Sequence, residues 1–129
     1  MMVLTAADIR RFANLPDKVA DTVIEPHLER GLRFCEKRAG RPIDDGEGDK
    51  DWREAAMCMT MYFLLPVINT MYLDGASSFA RESDDITDYV FCSPSQVVTI
   101  QNYWKNRAEG IIADLETAEG EGNVMVEVI

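Results

Sequence analysis

Residues 55–73, "AAMCMTMYFLLPVINTMYL", run for nineteen positions without a charge, and what surrounds them decides the fold. Such a run suits either a bilayer or a protein interior. A spanning helix needs about twenty predominantly apolar residues, so the length nearly suffices. The content does not. Thr60, Pro66, Asn69 and Thr70 interrupt the run, and several other positions are small or weakly apolar. Asp51, Arg53 and Glu54 precede it and Asp74 follows, with no excess of Lys or Arg to orient a span. The chain also carries long amphipathic stripes that a lone membrane anchor would leave unexplained. The stretch therefore reads as a helix that is apolar nearly all round because it is buried nearly all round.

In a chain of 129 residues one such helix is hard to cover with its own neighbours alone. Part of it, or of the helix that follows Val97, is expected to meet another subunit. Met57, Met59, Met61 and Met71 suit an adaptable contact surface, or else fill an irregular core. Met57 and Met61 are the expected contact residues.

The clearest local signal lies downstream, in "SPSQVV". Ser93 caps, Pro94 fits the first helical position, and Gln96 completes the box. Val97, Ile100, Trp104, Ala108, Ile111, Leu115 and Ala118 then recur every three or four residues, the stripe of one long packed helix. Trp104 lies on that stripe and reads as core. Gly120 and Gly122 are expected to end the helix. The closing "NVMVEVI" reads as an extended arm, with Val124, Met125, Val126, Val128 and Ile129 as partner contacts.

Upstream, Thr5 and Asp8 form a capping box before a short helix bearing Ile9, Phe12 and Ala13. A second helix is expected from near Pro16 to Ala39. Val19, Val23, Leu28, Leu32, Cys35 and Ala39 form its stripe, Pro26 kinks or splits it, and Gly40 closes it. "RPIDDGEGDKD" reads as a solvated, mobile acidic linker. Counted from Asp45, its sixth and twelfth positions are Lys50 and Ala56, so the calcium-loop pattern fails. Asp51 with Glu54 looks like the cap of the apolar helix. A short helix is expected around residues 85–91, with Asp84, Asp85 and Asp88 favouring its N-terminus. The fold class is thus all-α: a compact bundle of four to five helices over residues 1–119, then a flexible hinge and arm over 120–129.

Charge narrows the functions. A formal net charge of −10 repels phosphate backbones and anionic membrane surfaces. No basic segment with a long apolar run opens the chain, so no secretory signal is expected. Cys35, Cys58 and Cys92 are odd in number and form no CxxC pair, which reads as reduced, mostly buried thiols. His27 is the single histidine, so a transition-metal site is not expected. In "EPHLER", Glu25, His27 and Glu29 stand two apart and point to different helix faces. Neither GxxxxGK[ST] nor GxSxG occurs. The chain reads as a non-enzyme without cofactor or metal, leaving a binding or structural role.

The stretch "VLTAADIRRFANLPDKVADTVIEPHLERGLRFCEKRAGRP" resembles the opening of the head–tail connector (adaptor) proteins of long-tailed double-stranded DNA phages. The likeness is one of layout and spans most of residues 3–118. A short "LT-x-x-D" helix leads, and a longer helix stopping at a glycine follows. An acidic loop, a helix opening "DWREAAMCMTMYFLL" and a closing helix "SPSQVVTIQNYWKNRAEGIIADL" complete the order. Pro26, Pro66 and residues 75–92 depart from it. The resemblance implies a dodecameric ring of this chain in the virion neck. That ring would be assembled in the host cytoplasm, bound to the portal protein and to tail or neck proteins. DNA would pass through it without specific binding, and an acidic bore would keep its backbone from sticking. The other reading is a small acidic helical interaction or regulatory module; an enzyme subunit whose chemistry lies on another chain is a third.

Overall fold

The computed structural model describes residues 3–15, 19–74 and 94–128, with side-chain surroundings for 3–15, 19–69 and 97–118. Among these residues there are four α-helices and no strand: α1 (Ala6–Ala13), α2 (Asp21–Ala39), α3 (Lys50–Asp74) and α4 (Pro94–Val128). A 3₁₀ turn over Glu47–Asp49 leads into α3. The all-α bundle expected from the sequence is what forms. The helix expected around 85–91, Asp84, Asp85, Asp88 and Cys92 lie outside the described residues.

The charge-free stretch is the central helix. α3 packs on α2 along one side and α4 along the other, with α1 across the α2–α3 end. Trp52, Met59, Met61, Leu64 and Ile68 are fully buried in this way. No helix among the described residues is long and apolar enough to cross a membrane. Over residues 50–69 the chain buries most of the apolar side chains of α3 itself, and Met57, Tyr62, Phe63 and Val67 stay half-buried.

Two features fix the layers. At the α2–α3 crossing Gly31 faces Ala56 and Thr60 so closely that a Cβ would stand 2.5 Å from Thr60 Oγ1 and 2.6 Å from the Ala56 carbonyl oxygen. Thr60 turns its hydroxyl inward and donates to that same carbonyl at 2.7 Å, so the buried oxygen of its side chain is satisfied within the helix. On the other side, Pro66 has no N–H to give the carbonyl four residues back. Gln101 of α4 donates its side-chain amide to that carbonyl, Tyr62 O, at 2.9 Å. The proline interrupts the ladder and α4 mends it.

Helix ends follow the sequence in part. Thr5 and Asp8 form the capping box in both directions. Asn14 ends α1 at φ 52°, and Gly40 ends α2 at φ 73°, its N–H donating to Glu36 O. α2 begins at Asp21 rather than near Pro16. Val19 is fully buried before the helix starts, and Arg10 grips that turn through the Val19 carbonyl and Asp21. Pro26 neither splits nor ends α2. It sits in the second turn, where it removes a single hydrogen bond.

The acidic loop is no free linker. Arg41 holds Asp49 by a bidentate pair at 2.7 and 2.8 Å, and the Asp44 N–H adds a bond at 2.9 Å. Arg53 reaches back to the carbonyls of Asp44 and Gly46, while Ile43 is buried. The C-terminal arm is not confirmed either. α4 continues through Gly120 and Gly122 to Val128. A helical glycine costs about 1 kcal/mol against alanine, a penalty but no stop.

Two outcomes follow from this packing. Gly31→Ala should lower stability by about 2 kcal/mol in urea unfolding although alanine is the better helix former, because overpacking outweighs propensity. An unchanged or raised midpoint would mean that the two helices do not meet there. Asp49 is held at about 2 by the Arg41 guanidinium and then the Asp44 N–H, against an ordinary 3.8. A depressed carboxyl stabilises the fold above the unfolded value and loses that contribution as pH falls. Asp49→Asn should therefore cost about 1–2 kcal/mol at pH 7, discounted for the half-exposed Arg41. The difference from wild type should shrink as pH falls from about 4 through 2; a difference undiminished at pH 2 would refute the assignment.

Candidate protein-binding site

α1 and the first turns of α3 leave an open groove of about 470 Å³ between them. Leu4, Val3, Phe12 and Met57 supply its apolar lining, and Asp8, Arg11, Lys50, Arg53 and Glu54 its charged lining. The local structure explains the arrangement. The Thr5 capping box presents Asp8 at the start of α1, one turn before Phe12. Burial pushes the Asp8 carboxyl up, but bonds from the Thr5 backbone and Arg11 outweigh it and keep it below the ordinary range. Arg11 pairs with Asp8 at 2.7 Å while remaining largely exposed.

An aromatic cluster of α4 borders the groove. Phe12 packs against Trp104 with ring centroids 5.5 Å apart, and Tyr103 meets Trp104 edge-on at 5.1 Å. Arg107 lies over both the Phe12 and Trp104 rings, at 5.1 and 5.7 Å, and pairs with Glu54 at 3.7 Å. Tyr103 is 56% exposed, an aromatic held at the surface on a rigid helix. Trp, Tyr and Arg grouped beside an apolar hollow are the residue types that anchor protein–protein contacts. Arg11, Lys50 and Arg53 stand against Asp8 and Glu54, so the lining carries one positive charge in excess, with Arg53 already engaged by the Asp44 and Gly46 carbonyls. That excess stands out in a chain of net charge −10.

The residues expected at contacts fare differently. Met57 lines the groove. Met61 is fully buried and has no surface to offer in the folded chain. Val124, Met125, Val126 and Val128 belong to the last turns of α4 by backbone; their side chains and Ile129 lie outside the description. Trp52, not Trp104, is the core tryptophan. Trp104 is half-buried on the flank of α4, where the fully buried positions are Ala108 and Ile112.

Other chemistry-bearing residues stand apart. Among the described residues no group of three or more His, Cys, Asp or Glu is placed to hold a metal ion. Glu25 and Glu29 border a second open depression with Thr22 and Pro26. His27 is half-buried, its pKa lowered by desolvation and by the nearby Arg30 charge. Burial pushes the Cys35 thiol to about 12 and the Cys58 thiol to about 11, so neither is a nucleophile at neutral pH.

Neither protein-family models, nor curated proteins, nor solved structures offer a match to this chain.

The thiols give a direct check on the packing. Native protein treated with an aromatic disulfide at pH 8 should release no more than one fast equivalent, with Cys35 and Cys58 reacting only after denaturation. Two or more fast equivalents would contradict their burial.

Proposed function

We propose that this chain is a structural assembly protein of the head–tail connector type, part of a ring between portal and tail in a virion neck. The observation that carries the reading is the open groove with its aromatic and cationic flank. Around it Phe12, Met57 and Trp104 are half-buried and Tyr103 is exposed, so apolar and aromatic surface from three helices stands side by side. Support comes also from the order of the helices. A short capped helix, a helix stopped at Gly40, a fastened acidic loop, a central apolar helix and a long closing helix follow one another in the layout that resembles the connector proteins. On this reading the partners are other copies of the chain, the portal protein and tail or neck proteins. DNA passes without specific binding, and the −10 charge fits a bore that repels its backbone. The role is not catalytic.

One observation favours a second reading, a small acidic interaction or regulatory module. Over residues 50–69 the chain buries most of the apolar side chains of its central helix without help.

Light scattering coupled to size exclusion separates the two. A connector yields rings, or a large complex once purified portal is added as template. A monomer or dimer that ignores the portal would favour the module. Mass spectrometry of purified particles should find the chain in stoichiometric amounts, and its absence would end the connector reading.

A further inference from the structure

We infer that His27 makes the seat of α2 on α3 sensitive to acid: on gaining a proton its ring becomes a charge that the contact does not accommodate, and the N-terminal half of α2 loosens from α3. Four residues before Gly31, His27 lies on the side of α2 that meets α3, with the fully buried Ile24 and Leu28 as near neighbours in the helix. The ring is half-buried, so a proton reaches it from solvent. Its Nδ1, however, is enclosed and has no hydrogen-bond partner among the described residues. A neutral imidazole carries one N–H and can leave Nδ1 a bare acceptor. The imidazolium carries an N–H at both nitrogens, so one donor then points into the contact with nothing to accept it.

No carboxylate compensates. Residues 55–73 of α3 carry no charge, so the facing helix offers no acid. On α2 itself Glu25 and Glu29 stand two residues away on other faces and border a separate depression, and Glu29 pairs with Arg33 at 3.8 Å. In α1, Asp8 pairs with Arg11 and Arg10 with Asp21, while Lys105 of α4 lies over the Tyr62 ring. Among the described residues the one charge that bears on His27 is Arg30, of the same sign as an imidazolium. Arg30 follows one turn along α2, and its guanidinium stands 4.1 Å over the Phe63 ring of α3, which holds it in place. Burial first and Arg30 second lower the proton affinity of His27 in the folded chain, against an ordinary 6.5. The unfolded chain therefore binds more protons below that value, and the fold loses stability as pH falls through it. The stretch that gives way is lightly fastened. Ala20 provides no side-chain cap, and Pro26 removes a hydrogen bond from the second turn. Arg10 ties the start of the helix through the Val19 carbonyl and Asp21, two turns away from His27.

His27 is the single histidine of the chain, so in the full-length protein its imidazole gives one titrating set of NMR resonances. The titration should fall below the ordinary 6.5, and Arg30→Gln should raise it. Hydrogen exchange read by mass spectrometry locates the response. At pH 5 the amides of residues 21–31 should exchange about three- to tenfold faster in wild type than in His27→Gln, with no difference at pH 8. The amides of α4 are the internal reference and should not differ. This window lies above the one in which Asp49 titrates, so the two acid responses are distinguishable. Should His27→Gln fail to fold by circular dichroism at pH 8, His27→Asn takes its place, and the wild-type titration is decisive without any variant. A low titration with an acid-specific difference confined to α2 upholds the switch. A titration at or above the ordinary value overturns it. So does an exchange difference that is missing at pH 5, equally large at pH 8, or spread evenly over all the helices.

Discussion

The approach of α2 to α3 at Gly31 is the constraint from which the rest of the architecture follows. α3 is apolar on almost every side, so it must be covered from both flanks, and the α2 flank is covered at backbone distance. With no side chain at Gly31, the Ala56 carbonyl and the Thr60 hydroxyl lie where a Cβ would otherwise be. Thr60 is compatible with that burial only because its hydroxyl already donates within its own helix. An unpaired hydroxyl there would cost about 1–3 kcal/mol, comparable with a large share of a small domain's stability. The opposite flank is fastened differently, through a carbonyl that Pro66 leaves without its helical donor and Gln101 satisfies. A close contact on one side and a compensated defect on the other fix the rotation of α3, and with it which face of Met57 and Tyr62 remains uncovered.

Arginine supplies the remaining fastenings in a chain dominated by carboxylates. Arg10 ties α1 to the start of α2, Arg38 reaches Glu109 and Glu116 of α4, and Arg41 with Arg53 folds the acidic loop against α3. A planar guanidinium offers several donors in a fixed fork, so one residue closes a loop or bridges two helices. Exposed pairs of this kind add little stability singly. Their use here is positional. Asp49 is the exception, since it is buried and accepts from both Arg41 and the Asp44 N–H, which turns an acidic surface loop into a strap.

Local chemistry was legible in the sequence wherever it was self-contained. The Thr5 box, the Gly40 stop and the Pro94 start depend only on near neighbours, and each stands where the residues place it. Fold class was legible from the charge-free stretch for the same reason. What periodicity does not fix is rotation. The stripe on α4 is broad: of its positions Ala108 is fully buried while Trp104 and Ile111 are only half-buried, and Ile112, outside the stripe, is fully buried, in a packing where Gln101 and Arg38 reach α3 and α2. The groove was illegible as well. It joins Phe12 of α1 to Met57 of α3, with Trp104 of α4 against Phe12, and no spacing in one segment announces such a meeting. Asp49 was hidden among equivalent acids, distinguished only by an arginine eight residues earlier.

That rotation has a consequence for recognition. A stripe wider than its seat leaves a shoulder, and here the shoulder carries Ile100, Trp104 and Ile111 half-buried beside the exposed Tyr103. Were α4 turned to bury Trp104 fully, Ile112 would rotate outward and Gln101 would lose the Tyr62 carbonyl. The orphaned acceptor left by Pro66 thus favours the arrangement in which the aromatic shoulder stays at the surface. A proline that interrupts the central helix and an adhesive face on another helix become two ends of one packing decision. A residue with an N–H in place of Pro66 would give the Tyr62 carbonyl its helical donor, and the Gln101 bond would then no longer be needed to satisfy that oxygen.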